Sequence, residues 1–122
     1  MLIGQHDFRQ FCLTPDRQNS TVVNVSNVAL FTNAERNRFR IRFEADRFIR
    51  GMIRILVHDL LLVGKFEMLA SDFSAMLVGK QRASQVRLAP PEGLFLTGVK
   101  YPYIDREPDL PLSGQCDWIR VE

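Results

Sequence analysis

The stretch Ala45–Gly64, ADRFIRGMIRILVHDLLLVG, constrains the fold of this chain more than any other. Phe48, Ile49, Met52, Ile53, Leu56, Val57, Leu60 and Val63 place apolar groups around most of a helical circumference, the pattern of a helix buried against a sheet. Asp46 is suited to cap its start through the free amides of the first turn, and Gly64 to end it in a left-handed conformation. One long helix is therefore predicted. At 3.6 residues per turn, Arg47, Arg50, Arg54 and His58 fall near one line beside Gly51. A polar line of this kind is ordinarily the solvated edge of an amphipathic helix. Arg54 does not fit that description well, because Met52, Ile53, Ile55 and Leu56 surround it. Its guanidinium either reaches past them to water or meets a carboxylate in a cleft.

A chain of 122 residues, 46% hydrophobic and 25% charged, is long enough for one domain with its own core. The apolar run Ile55–Val63 contains His58 and Asp59 and is too short to span a bilayer, and no signal peptide opens the chain, so a cytoplasmic protein without membrane partners is expected. Cys12 and Cys116 lie near opposite ends without metal-ligand spacing and read as free thiols. The formal net charge of +2 says little about partners. Of the 16 basic residues, however, all but Lys65, Lys80 and Lys100 are arginine, whose planar fork fits phosphate and stacks on bases. Nucleic acid becomes a candidate on that ground.

In chain order, Gly4 and the run His6–Phe11 read as a turn into a short helix, with Asp7 near its start and Phe8 and Phe11 on one side. From Thr21 the period becomes two: Val23, Val25 and Asn27 alternate with Asn24, Ser26 and Val28, and the run continues to Phe31. A turn over residues 32–37 leads to a second strand. Its faces are Phe39, Ile41, Phe43 and Ala45 on one side and Arg38, Arg40, Arg42 and Glu44 on the other. The three arginines could follow a phosphate backbone, or simply be the solvated face of an antiparallel sheet. After Gly64, residues 71–78 read as a short capped helix ended by Gly79, and residues 94–102 as a strand entered through Pro90 and Pro91. Residues 105–122 show prolines and charge without period and read as a poorly ordered tail. The expected fold is α+β, an antiparallel sheet with one long helix packed on a face.

Three blocks in order, GQHDFRQF, ADRFIRGMIRILVHDLLLVG and PPEGLFLTGVKYP, resemble the C-terminal half of TruA-type tRNA pseudouridine synthases over roughly Gly4 to Pro102. The resemblance implies half of a pseudouridine synthase fold over residues 1–104. In that family a Met-Val-Arg motif supplies an arginine that pairs with the catalytic aspartate, and a Gly-Leu pair puts a leucine in the active-site pocket. Met52-Ile53-Arg54 and Gly93-Leu94 match these, which makes Arg54 and Leu94 the implied catalytic residues. His58 stands where the family usually has glycine. The implied chemistry is isomerisation of uridine to pseudouridine in tRNA, without cofactor or metal. Arg47, Arg50, Arg38, Arg40 and Arg42 are the expected RNA contacts. The family's Arg-Thr-Asp-Ala-Gly motif is absent, so the chain reads as half an enzyme, inactive alone. Its expected partners are tRNA, the N-terminal half of the same enzyme, and a second copy in a homodimer. Two other classes stay open: a non-catalytic RNA-binding module, and an interaction domain of a degenerate relative.

Overall fold

The computed structural model describes residues 2–82, 85–98 and 119–121. Four antiparallel strands and two helices are found among them. Strand β1 (Gly4–Asp7) pairs with the first part of β2 (Val22–Thr32), from Gly4 opposite Val25 to Asp7 opposite Val22. β3 (Phe39–Ala45) takes the other edge of β2. The helices are α1 (Met52–Gly64) and α2 (Ala70–Leu77). A last strand, β4 (Ile119–Val121), pairs with Leu30–Thr32 of β2, so part of the segment expected to be an unstructured tail belongs to the sheet.

The β2 face differs from simple alternation for one reason. The β2–β3 register shifts between Val25 and Asn27, so Ser26 is passed over in the pairing. The extra residue reverses the phase of the strand. Val23 and Val25 are buried, and beyond the shift it is Val28, not Asn27, that packs on the same core. Opposite it, Phe43 and Ala45 join that core, while Phe39 at the far end of β3 is exposed. The turn between the strands is closed by Asn33, whose side chain is almost fully buried. Its Oδ1 accepts from the amides of Asn37 and Arg38 at 3.1 Å each.

The helix predicted from Asp46 starts six residues later. Asp46 is spent on the sheet: its Oδ1 accepts from the Asn24 amide at 3.0 Å and its own amide donates to the Asn24 carbonyl at 3.0 Å. Residues 46–50 are consequently non-helical, and α1 begins after Gly51, which holds φ +75°. Arg47 and Arg50 therefore do not share a helical line with Arg54 and His58. At the other end Gly64 is helical, and the left-handed residue is Phe66, with φ +60°. α2 agrees with expectation to within one residue, and Gly79, two residues beyond its end, holds φ +85°. Near the start, His6 and Asp7 are in β1 rather than a helix, and a 3-10 turn follows at Arg9–Phe11. Residues 94–98 form no strand, and the rest of that predicted strand, residues 99–102, lies outside the described residues.

The core sits between the sheet and α1. Phe8, Phe11 and Phe73 have no solvent exposure and touch in series, with ring centroids 6.0 and 5.4 Å apart. Met52, Ile55 and Leu56 of α1 lie against them. Each such burial stabilises by roughly 1.5–3 kcal/mol relative to exposure. Buried Cys12 is a free thiol within this core.

The two glycines bounding α1 are expected to respond oppositely to alanine. At Gly51 the positive φ disfavours any side chain, and a Cβ would stand 2.8 Å from Leu13 Cγ. Gly51→Ala should cost more than about 2 kcal/mol, the sum of left-handed strain and the clash. Around Gly64 nothing lies within 4 Å. Gly64→Ala should gain about 0.5 kcal/mol by restricting the unfolded chain. Urea unfolding midpoints of the two variants would check both signs.

Candidate active-site cleft

β3, the first turn of α1 and the segment 93–98 enclose a cleft of about 660 Å³. Gly51, which turns the chain out of residues 46–50 and into α1, sits on its wall. The opposite side is supplied by Leu94 to Gly98, delivered by Pro90 and a 3-10 turn over Pro91–Gly93. Proline fixes φ, so this approach is stiff. Arg54, Leu94, Arg50, Arg40 and Arg42 all line the cleft, with Ile41 and Phe43 as part of its apolar wall.

Arg54 is half-buried. Its Nε donates to the Ala89 carbonyl at 2.7 Å, and the Ala89 amide donates to the Arg54 carbonyl at 3.0 Å. This two-way link ties the segment carrying Leu94 to the helix carrying Arg54. Among the described residues Arg54 makes no ion pair, and Glu44, the acidic residue of the arginine-rich strand, pairs with Arg42 at 3.6 Å. With Nε on a carbonyl, the two terminal nitrogens are what the guanidinium has left for an anionic group. Leu94 is about half exposed at the cleft, in extended backbone.

The remaining arginines of the expected RNA surface have different roles. Arg47 does not line the cleft. Its Nη2 donates to the Ser20 carbonyl and, at 3.0 Å, to the Val22 carbonyl, fastening residues 46–50 to the start of β2. Arg50 is exposed, and its carbonyl accepts from the Leu13 amide at 3.0 Å. Arg38 is exposed at the hairpin turn, away from the cleft. Arg40 and Arg42 both flank the Phe31 ring, at 4.7 and 5.6 Å from its centroid. Burial, and secondarily the charge on Arg42, holds the Arg40 pKa below the ordinary guanidinium value.

A buried polar group was missed in the sequence. Asp59, 1% exposed, pairs with Arg82, 6% exposed, at 2.7 Å. The signal was present: Asp59 completes the spacing of Met52, Ile55 and Leu56 on the buried stripe, where a carboxylate requires a partner. The adjacent His58 is partly exposed, with Nδ1 3.8 Å from the other Asp59 oxygen. Among the described residues no group of three His, Cys, Asp or Glu side chains could hold a metal ion, and no helix is long and apolar enough to cross a membrane.

Comparison with known proteins gives the family. The family model described as tRNA pseudouridine synthase matches residues 1–102. The chain belongs to the tRNA pseudouridine synthase family. Among its relatives, tRNA pseudouridine synthase A of Chloroflexus aurantiacus is 36% identical over 104 residues, covering 84% of this chain and 37% of the relative. The enzyme of the same name from Exiguobacterium sibiricum is 36% identical over 101 residues, covering 83% and 40%. That of Chromobacterium violaceum is 31% identical over 120 residues, covering 98% and 43%. The chain thus spans about two-fifths of the length of the curated relatives it matches.

The arginines separate experimentally. Arg47→Ala removes two charge-assisted hydrogen bonds to backbone carbonyls and should lower stability by about 1 kcal/mol. Arg50→Ala, at an exposed position, should stay within about 0.5 kcal/mol of the parent. Equilibrium urea unfolding of the two variants provides the comparison.

Proposed function

We propose that this chain forms the C-terminal part of a tRNA pseudouridine synthase and supplies one wall of its active site. The reading is supported chiefly by Arg54 and Leu94 lining one cleft, with Arg54 making no ion pair among the described residues. Family membership and the coverage of about two-fifths of each relative add to it. The Arg-Thr-Asp-Ala-Gly motif, absent from this chain, would come from the N-terminal half and place its aspartate opposite Arg54.

In this proposal tRNA is the substrate and the target uridine is extruded from its stack into the cleft. The aspartate attacks the ribose or assists formation of an unsaturated sugar, the glycosidic bond to nitrogen breaks, and the uracil turns and rejoins through carbon. Arg54 holds the aspartate ionised and oriented through its terminal nitrogens, a charge-assisted contact that a planar fork makes and an ammonium does not. Leu94 offers the base an apolar wall. Arg40, Arg42 and Arg50 surround the cleft with positive charge suited to phosphates, with Arg38 extending that charge along the hairpin.

Two measurements test the proposal. In the complete enzyme, Arg54→Lys keeps the charge but loses the planar geometry, so turnover should fall tenfold or more while tRNA binding changes little. Full turnover in the lysine variant would overturn the assignment of Arg54. For the chain alone, tRNA binding should be weak and steeply salt-dependent, because contacts to phosphate release counterions. Binding by filter retention that is equal in low and high salt would count against the arginine surface.

A further inference from the structure

Arg82 joins three parts of the chain. Its Nη2 donates to Asp59 Oδ2 of α1 at 2.7 Å, and Nη2 and Nε donate to the Gln10 carbonyl at 2.8 and 3.2 Å. Its own amide donates to Gln10 Oε1 at 3.2 Å, and its guanidinium lies 5.6 Å from the centroid of the Phe11 ring. Downstream of Arg82, the chain is fixed to α1 again at Ala89, through the two hydrogen bonds with Arg54. The two anchor points on the helix, Asp59 and Arg54, are five residues apart, about 7.5 Å along the axis. Arg82 and Ala89 are therefore both held to one helix. Past Ala89 the chain has two prolines and a 3-10 turn before Leu94, so a displacement at Ala89 is passed on to Leu94 rather than absorbed.

A pair of apolar residues would fill the Asp59–Arg82 site without the cost of desolvating two charges. What apolar residues cannot supply is direction: a fork that fixes one carboxylate and one carbonyl at set angles. We propose that Arg82, held by Asp59, is a positioning residue for the cleft. It sets where the Ala89 carbonyl stands, and through it the orientation of the Arg54 guanidinium and the place of Leu94. Catalytic significance rests on the functional reading above; the positioning itself is a property of this chain.

The test follows the Arg54 Nε–H signal by nitrogen-15 NMR of the 122-residue chain. The signal is assigned by its loss in Arg54→Lys. One variant, Asp59→Leu with Arg82→Met, removes both charges together and leaves no buried ion unpaired. The other, Arg82→Lys, keeps a charge for Asp59 but not the fork that also grips Gln10. With sheet amide shifts unchanged, both variants should exchange the Arg54 Nε proton at least tenfold faster than the parent. In the complete enzyme both should lower kcat about tenfold with KM within twofold. Exchange within twofold of the parent in a folded variant would overturn the proposal. Should neither variant fold, the pair is a requirement of the fold and the proposal also falls. If instead Arg54→Lys leaves turnover intact while exchange responds as expected, the functional reading fails and the positioning stands.

Discussion

The structure depends on the burial of one stripe of α1. Met52, Ile55 and Leu56 must be covered, and the sheet alone does not cover them: Phe8 and Phe11 from the turn after β1 and Phe73 from α2 complete the enclosure. That enclosure requires every group on the stripe to be apolar or paired. Asp59 lies on the stripe one turn beyond Ile55, and an uncompensated carboxylate there would cost several kcal/mol. The segment after α2 consequently has to return to the helix so that Arg82 can reach it. The same return brings Ala89 to Arg54 and Leu94 to the cleft. Packing, ion pairing and the geometry of the cleft are thus consequences of one burial requirement.

The central hairpin and the two helices were legible because they follow from periodicity, whereas β1 was read as a turn into a short helix and β4 as part of a tail. Alternation from Val22 to Ala45 specified a hairpin, and the apolar run before Gly64 specified a buried helix. Boundaries were less legible, since a residue good for one task can be recruited by another. Asp46 has the chemistry of a helix cap, but its carboxylate and amide both serve Asn24 across the sheet. Gly51, read only as a neighbour of the arginine line, is where the chain turns left-handed and the helix begins. The shift between Val25 and Asn27 had no local signature, because an added residue in a strand is defined by what lies opposite it. Leu94 to Gly98 has the composition of a strand, but strand structure requires a ladder partner, and none is found among the described residues.

Arginine predominance was equally visible and equally incomplete as a guide. Composition indicates planar cations, not what each is for. Arg47 is occupied by two carbonyls at the head of β2, and Arg82 by a carboxylate and a carbonyl inside the protein. Arg40 and Arg42 lie against Phe31, which pre-organises their guanidinium planes at the sheet surface. Arg54 and Arg50 line the cleft, together with Arg40 and Arg42. The discriminating property is the number of fixed acceptors around each head group, and that depends on which chain segments meet there. Arg54 was the exception in the sequence, since its apolar neighbours fitted an ordinary surface role poorly and left reaching past them to water or meeting a carboxylate as the alternatives.

On the proposed function, the half-burial of Arg54 bears on how such a cleft can exist before an opposing wall closes it. A fully enclosed guanidinium without a carboxylate would be costly, whereas a half-buried one with a single fixed carbonyl at an open cleft is less so. The cost is deferred rather than removed. When an opposing surface closes the cleft, water leaves and the local dielectric falls, so a carboxylate arriving opposite Arg54 meets a stronger interaction than the open cleft allows. The hydrogen bond to Ala89 matters most at that moment, because it fixes the guanidinium plane before the partner arrives and spares the complex the cost of ordering a long side chain. A lysine could carry the charge, but it has no second edge to anchor while the first is in use. On the proposed function, the geometry at Arg54 is that of a cation oriented in advance for a carboxylate from the opposing wall.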